Sequence, residues 1–432
     1  MTSDNKENQK ARLAAGPTAR SYKEAFVWIW LPGTVDPVVA GKLEADGDQI
    51  LFNYGRSYLE RDNAISVYDA ELPLRSGVLP LPDGLSMPGC IRDAAPDAWG
   101  RRVIANKLLG GAAGNAGLHE LTFMLESGSD RVGALDFQRS ATVYEPRLAA
   151  QASLDELLEA AERVEKGEPL VPDLDQALFH GSSIGGARPK ALIEDGDRKY
   201  VAKFSTSADL YNVVKAEFIA MRLARHCGID VAPVSLTRAA GKDVLLIERF
   251  DRVKRKAGWT RKPMVSALTL FGLDEMMARY ASYEKLAEII RHKFTEPSQT
   301  LRELFARLVF NILCGNTDDH ARNHAAFWDG TMLTLTPGYD ICPQGRAGNE
   351  ASQAMQISDG NNLSRISLCL DAARHFHLSE DRARGIVGAQ IDCIETLWDS
   401  VCDEAALPEV DRKLLWGRQF LNQFALEGSS RK

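Results

Sequence analysis

The sequence predicts an α+β chain in two lobes, a β-containing N-terminal module followed by a helix-rich C-terminal lobe. Three observations predict this. Strand-like apolar segments open the ordered part of the chain and return near 190–204. From Leu268 onward, apolar residues recur at helical spacing, over 282–292, 299–313, 380–397 and 411–425. Between two hydrophobic runs, Leu308–Leu313 and Met332–Leu335, lies a tight polar cluster of Asn316, Asp318, Asp319, His320 and Asn323, with Asp340 beyond.

Composition narrows the field. A chain of 432 residues buries a substantial core in one large domain or two to three lobes. A net charge of −7 argues against a nucleic-acid binder acting alone. The seven cysteines are scattered without a C-x-x-C pair, which fits reduced thiols and not a disulfide framework or zinc site. No apolar run reaches membrane-spanning length, and the opening MTSDNKENQK lacks a signal-peptide core. A cytoplasmic protein without a membrane partner is expected.

Residues 1–21 are polar and aperiodic, and a disordered tail is expected there. An N-terminal module is assigned to 22–170. It opens with the strand AFVWIWLPG, whose Trp28 and Trp30 share one face and are expected in the core. Val38–Leu43 and Gln49–Tyr54 flank the turn ADGD as two further strands. After an irregular Pro/Leu/Gly-rich stretch, a helix starting at Pro96 or Asp97 carries Trp99, Val103, Ile104 and Leu108 on one face. The Gly-rich LLGGAAGNAG has no following Lys-Ser/Thr and is assigned to an interhelical loop, not a phosphate loop. A helix over Leu118–Glu126, a strand over Gly133–Phe137 and an amphipathic helix over Leu154–Glu165 follow, the last opened by a Ser153/Glu156 capping box. The Pro/Asp-rich stretch 167–175 marks a seam.

Beyond the seam, 171–250 reads as the rest of an N-lobe and 251–432 as a helical C-terminal lobe. Lys190–Glu194 and Lys199–Phe204 form a hairpin around EDGD, entered from a Gly/Ser loop containing Ser183, Gly185 and Gly186. Such a loop opening into a hairpin is how kinases cover nucleotide phosphates with backbone N–H groups. Lys203 lies in an apolar strand, where an edge or snorkelling lysine is the ordinary explanation. It also falls where a phosphate-pairing lysine belongs, with Glu217, in the helical stretch 211–226, as its acidic partner. The segment DVLLIERFDR resembles a last strand and linker, with adenine hydrogen-bonded near Glu248–Phe250. The basic run RVKRKAGWTRK that follows fits a solvated loop or a docking surface for an acidic partner. An Asp, an Asn five positions on, and a second Asp about twenty further match the order of a kinase catalytic loop and its metal-binding Asp. Asp318 would face the hydroxyl to be phosphorylated. Asn323 and Asp340 would hold magnesium through hard oxygen ligands, and His320 would support the loop.

The segments SSIGGARPKALI, VAKFS, LLIERFDR, GNTDDHARN and PGYDI, together with PGCIRDAAPDAWGRRVI and GLHELTFMLESGSDRVGALDF, resemble those of the HipA family over nearly the whole chain. That family comprises serine/threonine kinases, the toxin halves of bacterial type II toxin–antitoxin pairs. The resemblance implies a two-lobed, protein-kinase-related fold, ATP and Mg2+ as cofactors, and phosphorylation of a protein hydroxyl. It places the catalytic Asp on Asp318, metal binding on Asn323 and Asp340, the phosphate-contacting lysine on Lys203, and an autophosphorylated serine on Ser183. The nucleotide-binding set then comprises Ser183, Gly185, Gly186, Lys203, Glu248, Phe250 and His320. Phosphoserine at Ser183 would repel ATP phosphates and inactivate the enzyme. A small helix-turn-helix antitoxin, DNA contact only through that partner, and a translation component such as an aminoacyl-tRNA synthetase as substrate are implied by the same resemblance. The chain departs from the family pattern at RKPMVSALTLFG and at Arg188-Pro189, which marks a divergent branch. A small-molecule phosphotransferase of the same fold, or a nucleotide-binding corepressor scaffold, remains open from sequence.

Overall fold

The computed structural model describes residues 22–109, 117–148, 152–169, 186–206 and 209–428. The expected tail 1–21, the centre of the Gly-rich segment, most of the Pro/Asp-rich seam, Ser183 and Gly185 lie outside these residues. Five antiparallel strands make the first sheet: β1 (Glu24–Ile29), β2 (Val38–Asp46), β3 (Gln49–Tyr54), β4 (Val78–Leu79) and β5 (Leu135–Gln138), in the order β4-β3-β2-β1-β5. Period-two alternation sends Ala25, Val27 and Ile29 into the main core. Trp28 and Trp30 are buried too, but against Tyr144, with ring centroids at 5.3 and 5.6 Å. Their indole N–H groups donate to the Ser140 and Val35 carbonyls. Helix α1 (Ala98–Leu109) buries Trp99, Val103 and Ile104 as the spacing predicts. Helix α2 (Leu154–Glu165) carries the predicted capping box in both directions.

The second sheet has the order β6-β7-β9-β8, formed by β6 (Lys190–Asp195), β7 (Arg198–Phe204), β8 (Val234–Ala239) and β9 (Lys242–Glu248). Because β7 lies between β6 and β9, Lys203 is not on an edge strand. Helix α3 (Val213–His226) lies between this sheet and the C-terminal helix α6 (Glu380–Glu404), which it contacts directly. Lys215 donates to the Ala406 carbonyl and Arg222 pairs with Glu404 across that seam. Apolar residues of α3, of α4 (Tyr283–Lys293), of α5 (Pro297–Leu313) and of α6 belong to one continuous buried cluster that also includes the first sheet.

Two expectations are corrected. The basic run is not a uniform solvated loop. It forms the hairpin β10 (Arg252–Arg255) and β11 (Gly258–Arg261), in which Arg252 is buried and only Lys254–Ala257 and Lys262 are exposed. Arg261 stacks 3.4 Å over Trp30, so part of the run's charge is spent on joining hairpin and module. The expected helix 411–425 splits into Glu409–Leu415 and Gln423–Leu426. Gly417 (φ +73°) and Leu421 (φ +51°) are left-handed, which a continuous helix excludes, and Leu421 N–H bonds instead to the Leu313 carbonyl. The remaining sheet runs β12 (Met264–Ser266), β13 (Ala325–Trp328), β14 (Leu333–Leu335). Among the described residues, no helix is long and apolar enough to cross a membrane.

Candidate active site

Helix α5 delivers the polar cluster. After Cys314 the chain turns at Gly315, whose φ of +75° and close approach to Gln419 (a Cβ would lie 2.7 Å from its carbonyl oxygen) both require glycine. Asn316 N–H returns to the Asn311 carbonyl and Gly315 N–H to that of Ile312, the paired bonds of a Schellman turn. The two adjacent acids then diverge. Asp319 is buried and accepts from the Tyr283 hydroxyl and, at 2.9 Å, from His324 Nε2. Asp318 is exposed. The surrounding chain still strips part of the water from its carboxylate, and with the neighbouring charges of Asp340 and Asp319 this raises its pKa above the ordinary aspartate value, against the opposing effect of His320. Asn323 donates to the Asp318 carbonyl at 3.2 Å and closes the loop.

Strand β7 supplies the opposing cation and helix α3 its acidic partner. The Lys203 ammonium bridges Glu217, at 2.6 Å, and Asp340. Burial opposes its charge, but these two carboxylates outweigh burial and raise the lysine above its ordinary range. Asp340 is likewise disfavoured by burial, yet Lys203 and Lys190 hold it well below the carboxylate range. Glu217, almost fully enclosed, is pushed up by burial that Lys203 only partly offsets. Asp340 also has a left-handed backbone, φ +59°, uncommon for a residue with a Cβ.

Sequence reasoning missed Lys190. It sits directly opposite Lys203 in the β6–β7 register, so both ammonium groups face the same way. Counting back along the hairpin from the turn at EDGD would have found it. Lys190 is buried, and desolvation together with Lys203 pushes its pKa down to about 8. Its ammonium nestles on Gly186 (φ +103°), where a Cβ would come within 2.2 Å of Nζ. Gly186 is in the predicted loop, but its N–H is committed to Asp97 at 2.6 Å, so it supports the turn and does not offer that donor to a phosphate. Glu248 and Arg249 N–H groups are likewise used, by the Pro233 and Lys199 carbonyls. Phe250 contributes its ring, packed against Tyr339 and Phe327 at 5.6 and 5.9 Å, as an aromatic shelf. His320 is half-buried near Asp318 and Asp340, and its Nδ1 has no protein partner among the described residues.

Among the described residues, no group of three or more His, Cys, Asp or Glu side chains is arranged for a metal ion. Asn323 and Asp340 each carry a side-chain oxygen of the hard type that magnesium takes. That ion takes one or two protein oxygens, with water and substrate phosphates as its other ligands. The ionised Asp340 and the two lysines match an anion-plus-cation ligand, so the residues present fit magnesium-bound nucleotide.

A model of the HipA-like C-terminal domain matches residues 182–398, and a model of the HipA N-terminal domain matches 30–138. The serine/threonine-protein kinase toxin HipA of Shewanella oneidensis is 25% identical over 185 residues, covering 37% of this chain and 42% of that protein. A Sinorhizobium fredii protein with the provisional name of a kinase is 29% identical over 131 residues, covering 29% of this chain and 31% of its own length. The matched stretches thus span less than half of either relative. The solved Shewanella oneidensis MR-1 complex of HipA, HipB and operator DNA shares the fold, with a TM-score of 0.66 at 19% identity over 93% of this chain and 99% of the other. With one family model covering half the chain and a second covering its N-terminal part, the chain belongs to the HipA family.

Proposed function

We propose that the protein is an ATP-dependent serine/threonine protein kinase of the toxin type, partnered by a small DNA-binding antitoxin. The observation that carries this is the Lys203 ammonium bridging Glu217 on α3 and Asp340 beside the catalytic loop, because it ties both lobes to one phosphate-sized point. Magnesium-bound ATP, when present, supplies the transferable phosphoryl group and neutralises its developing charge. Asn323 and Asp340 would hold the metal, Lys203 and Lys190 the phosphates, and the Phe250 shelf the adenine. Asp318 orients the incoming hydroxyl and accepts its proton, a task suited to an exposed carboxylate with a raised pKa. Exposure at Asp318 also suits a hydroxyl carried on a protein. Ser183 is the proposed site of self-phosphorylation. The fold relative solved with HipB and operator DNA supports a partner of that kind.

The test is transfer of label from γ-labelled ATP with magnesium, to self and to added protein, comparing wild type with Asp318→Ala. Loss of roughly 10²–10⁴-fold is expected in the variant, with label in the wild type located at Ser183 by mass spectrometry. Retention of label in the variant would remove Asp318 from the mechanism. In the wild type, kcat/KM is expected to fall on acidification through a pKa above 3.8, because the carboxylate, not the acid, accepts the proton. An acid limb at or below that value would contradict the environment described.

A further inference from the structure

Three chain segments far apart in sequence meet at Asp97, the residue just before α1. Its Oδ2 accepts the Gly186 N–H at 2.6 Å, across 89 positions, and its Oδ1 accepts Arg322 at 3.0 Å, across 225. Arg322 lies between Asp318 and Asn323 in the catalytic loop. Its carbonyl accepts the hydroxyl of Tyr339, which precedes Asp340, and its guanidinium also pairs with Glu275 at 2.8 Å. The next residues of the helix hold the same turn from the other side. Trp99 N–H donates to the Gly186 carbonyl and its indole to that of Lys190, both at 3.1 Å, while Arg102 donates to that of Ala187. The N-terminal module therefore touches the glycine turn and the catalytic loop through one carboxylate.

We propose that Asp97 is a positioning residue of the phosphate-transfer site, the point at which the N-terminal module sets the spacing between the glycine turn and the catalytic loop. Asp97 acts through Gly186 and Arg322, the two groups that its carboxylate holds. Burial disfavours its charge, but Arg322 and the Gly186 N–H hold the carboxylate below the ordinary range. It stays ionised throughout the neutral range. The inference rests on the phosphotransfer function proposed above, so the experiment reads the clamp separately from the chemistry.

Full-length wild type, Asp97→Ala, Arg322→Ala and the double variant are compared in two assays. Asp97→Asn, which keeps the volume and an acceptor for Gly186, stands in if the alanine form does not fold. In label transfer, kcat for Asp97→Ala is expected to drop about 10–100-fold, the scale of a misplaced catalytic group. The double variant should be no more than about twofold worse than the poorer single variant, because both break one link. In nucleotide-free hydrogen exchange, peptides covering 186–190 and 320–323 should exchange faster while the first sheet is unchanged. Multiplicative losses in the double variant, exchange raised throughout the chain, or unchanged rates and exchange would each overturn the role. A wild type that transfers no phosphate sinks the kinase function instead, and the exchange pattern then decides the clamp by itself.

Discussion

Lys203→Met is expected to reduce phosphate transfer by roughly 10²–10³-fold or more, the scale at which a pre-organised charge is lost from a transition state, and to destabilise the fold as well. The two effects have one origin. Lys203 is the cation shared by Glu217 and Asp340, and a methionine leaves the buried Glu217 carboxylate facing the partly exposed carboxylate of Asp340. Removing one partner of a buried ion pair typically costs about 3–5 kcal/mol. The lower end applies here because Asp340 retains some contact with solvent. Glu217 has no such outlet, and its pKa, already above 4.5 through burial, should climb further. A carboxyl raised in the folded state contributes stability that is complete below its unfolded pKa and is lost as pH rises through the folded value. The deficit of the variant should therefore be larger at pH 8 than at pH 5 in urea unfolding. Equal deficits at both would place the uncompensated charge elsewhere.

Asp251→Asn should destabilise by a similar amount, about 3–5 kcal/mol, without touching the phosphate site. Asp251 accepts from Arg249 and Arg252, both at 2.8 Å, and from the Gly133 N–H at 2.8 Å. Asp130 completes the network at 3.0 Å from Arg249 and 2.9 Å from Arg252. All four groups are buried. The asparagine keeps the bond from Gly133 but leaves two enclosed guanidinium groups one anion short. Burial opposes ionisation of Asp251, yet the arginines bring its pKa down to about 2. A depressed carboxylate contributes stability that is present above its unfolded pKa and lost as pH falls toward the folded one. The gap between variant and wild type should then be full at pH 7 and narrower at pH 3. A gap that does not change over that window would mean the network is not held by this charge.

How far the site was legible depended on whether a contact is local. The polar cluster holding Asp318 and Asn323 is legible because it lies in one stretch of chain, whereas the contact of Lys203 with Asp340 joins two segments 137 residues apart. Glu217 pairs with Lys203 in the sequence reading by analogy with the helix glutamate of kinases, and the structure brings the two together at 2.6 Å. Lys190 was hidden by its type, since a lysine at a strand start ordinarily reaches solvent. Here the β6–β7 register turns it inward to the same carboxylates as Lys203. Asp97 was read as the start of a helix and nothing more, because no local pattern encodes a contact across 225 residues. ERFDR illustrates the same limit. Its sequence predicts strand and linker, whereas its two arginines are the buried ties to 130–133. The break in the expected helix 411–425 was signalled by Gly417, but the left-handed Leu421 follows from its bond to Leu313 on another element.

The placing of α3 has a consequence for control. It carries Glu217, yet it is wedged between the β6–β9 sheet and α6, and its apolar residues share one buried cluster with the C-terminal helices. Swinging this helix outward would expose buried apolar surface on both of its sides at once, and each fully buried aliphatic side chain so exposed costs about 1.5–3 kcal/mol. Displacing Glu217 by moving this helix is therefore costly in this architecture. A rearrangement confined to parts outside that common interior would leave the Lys203–Glu217 pair assembled.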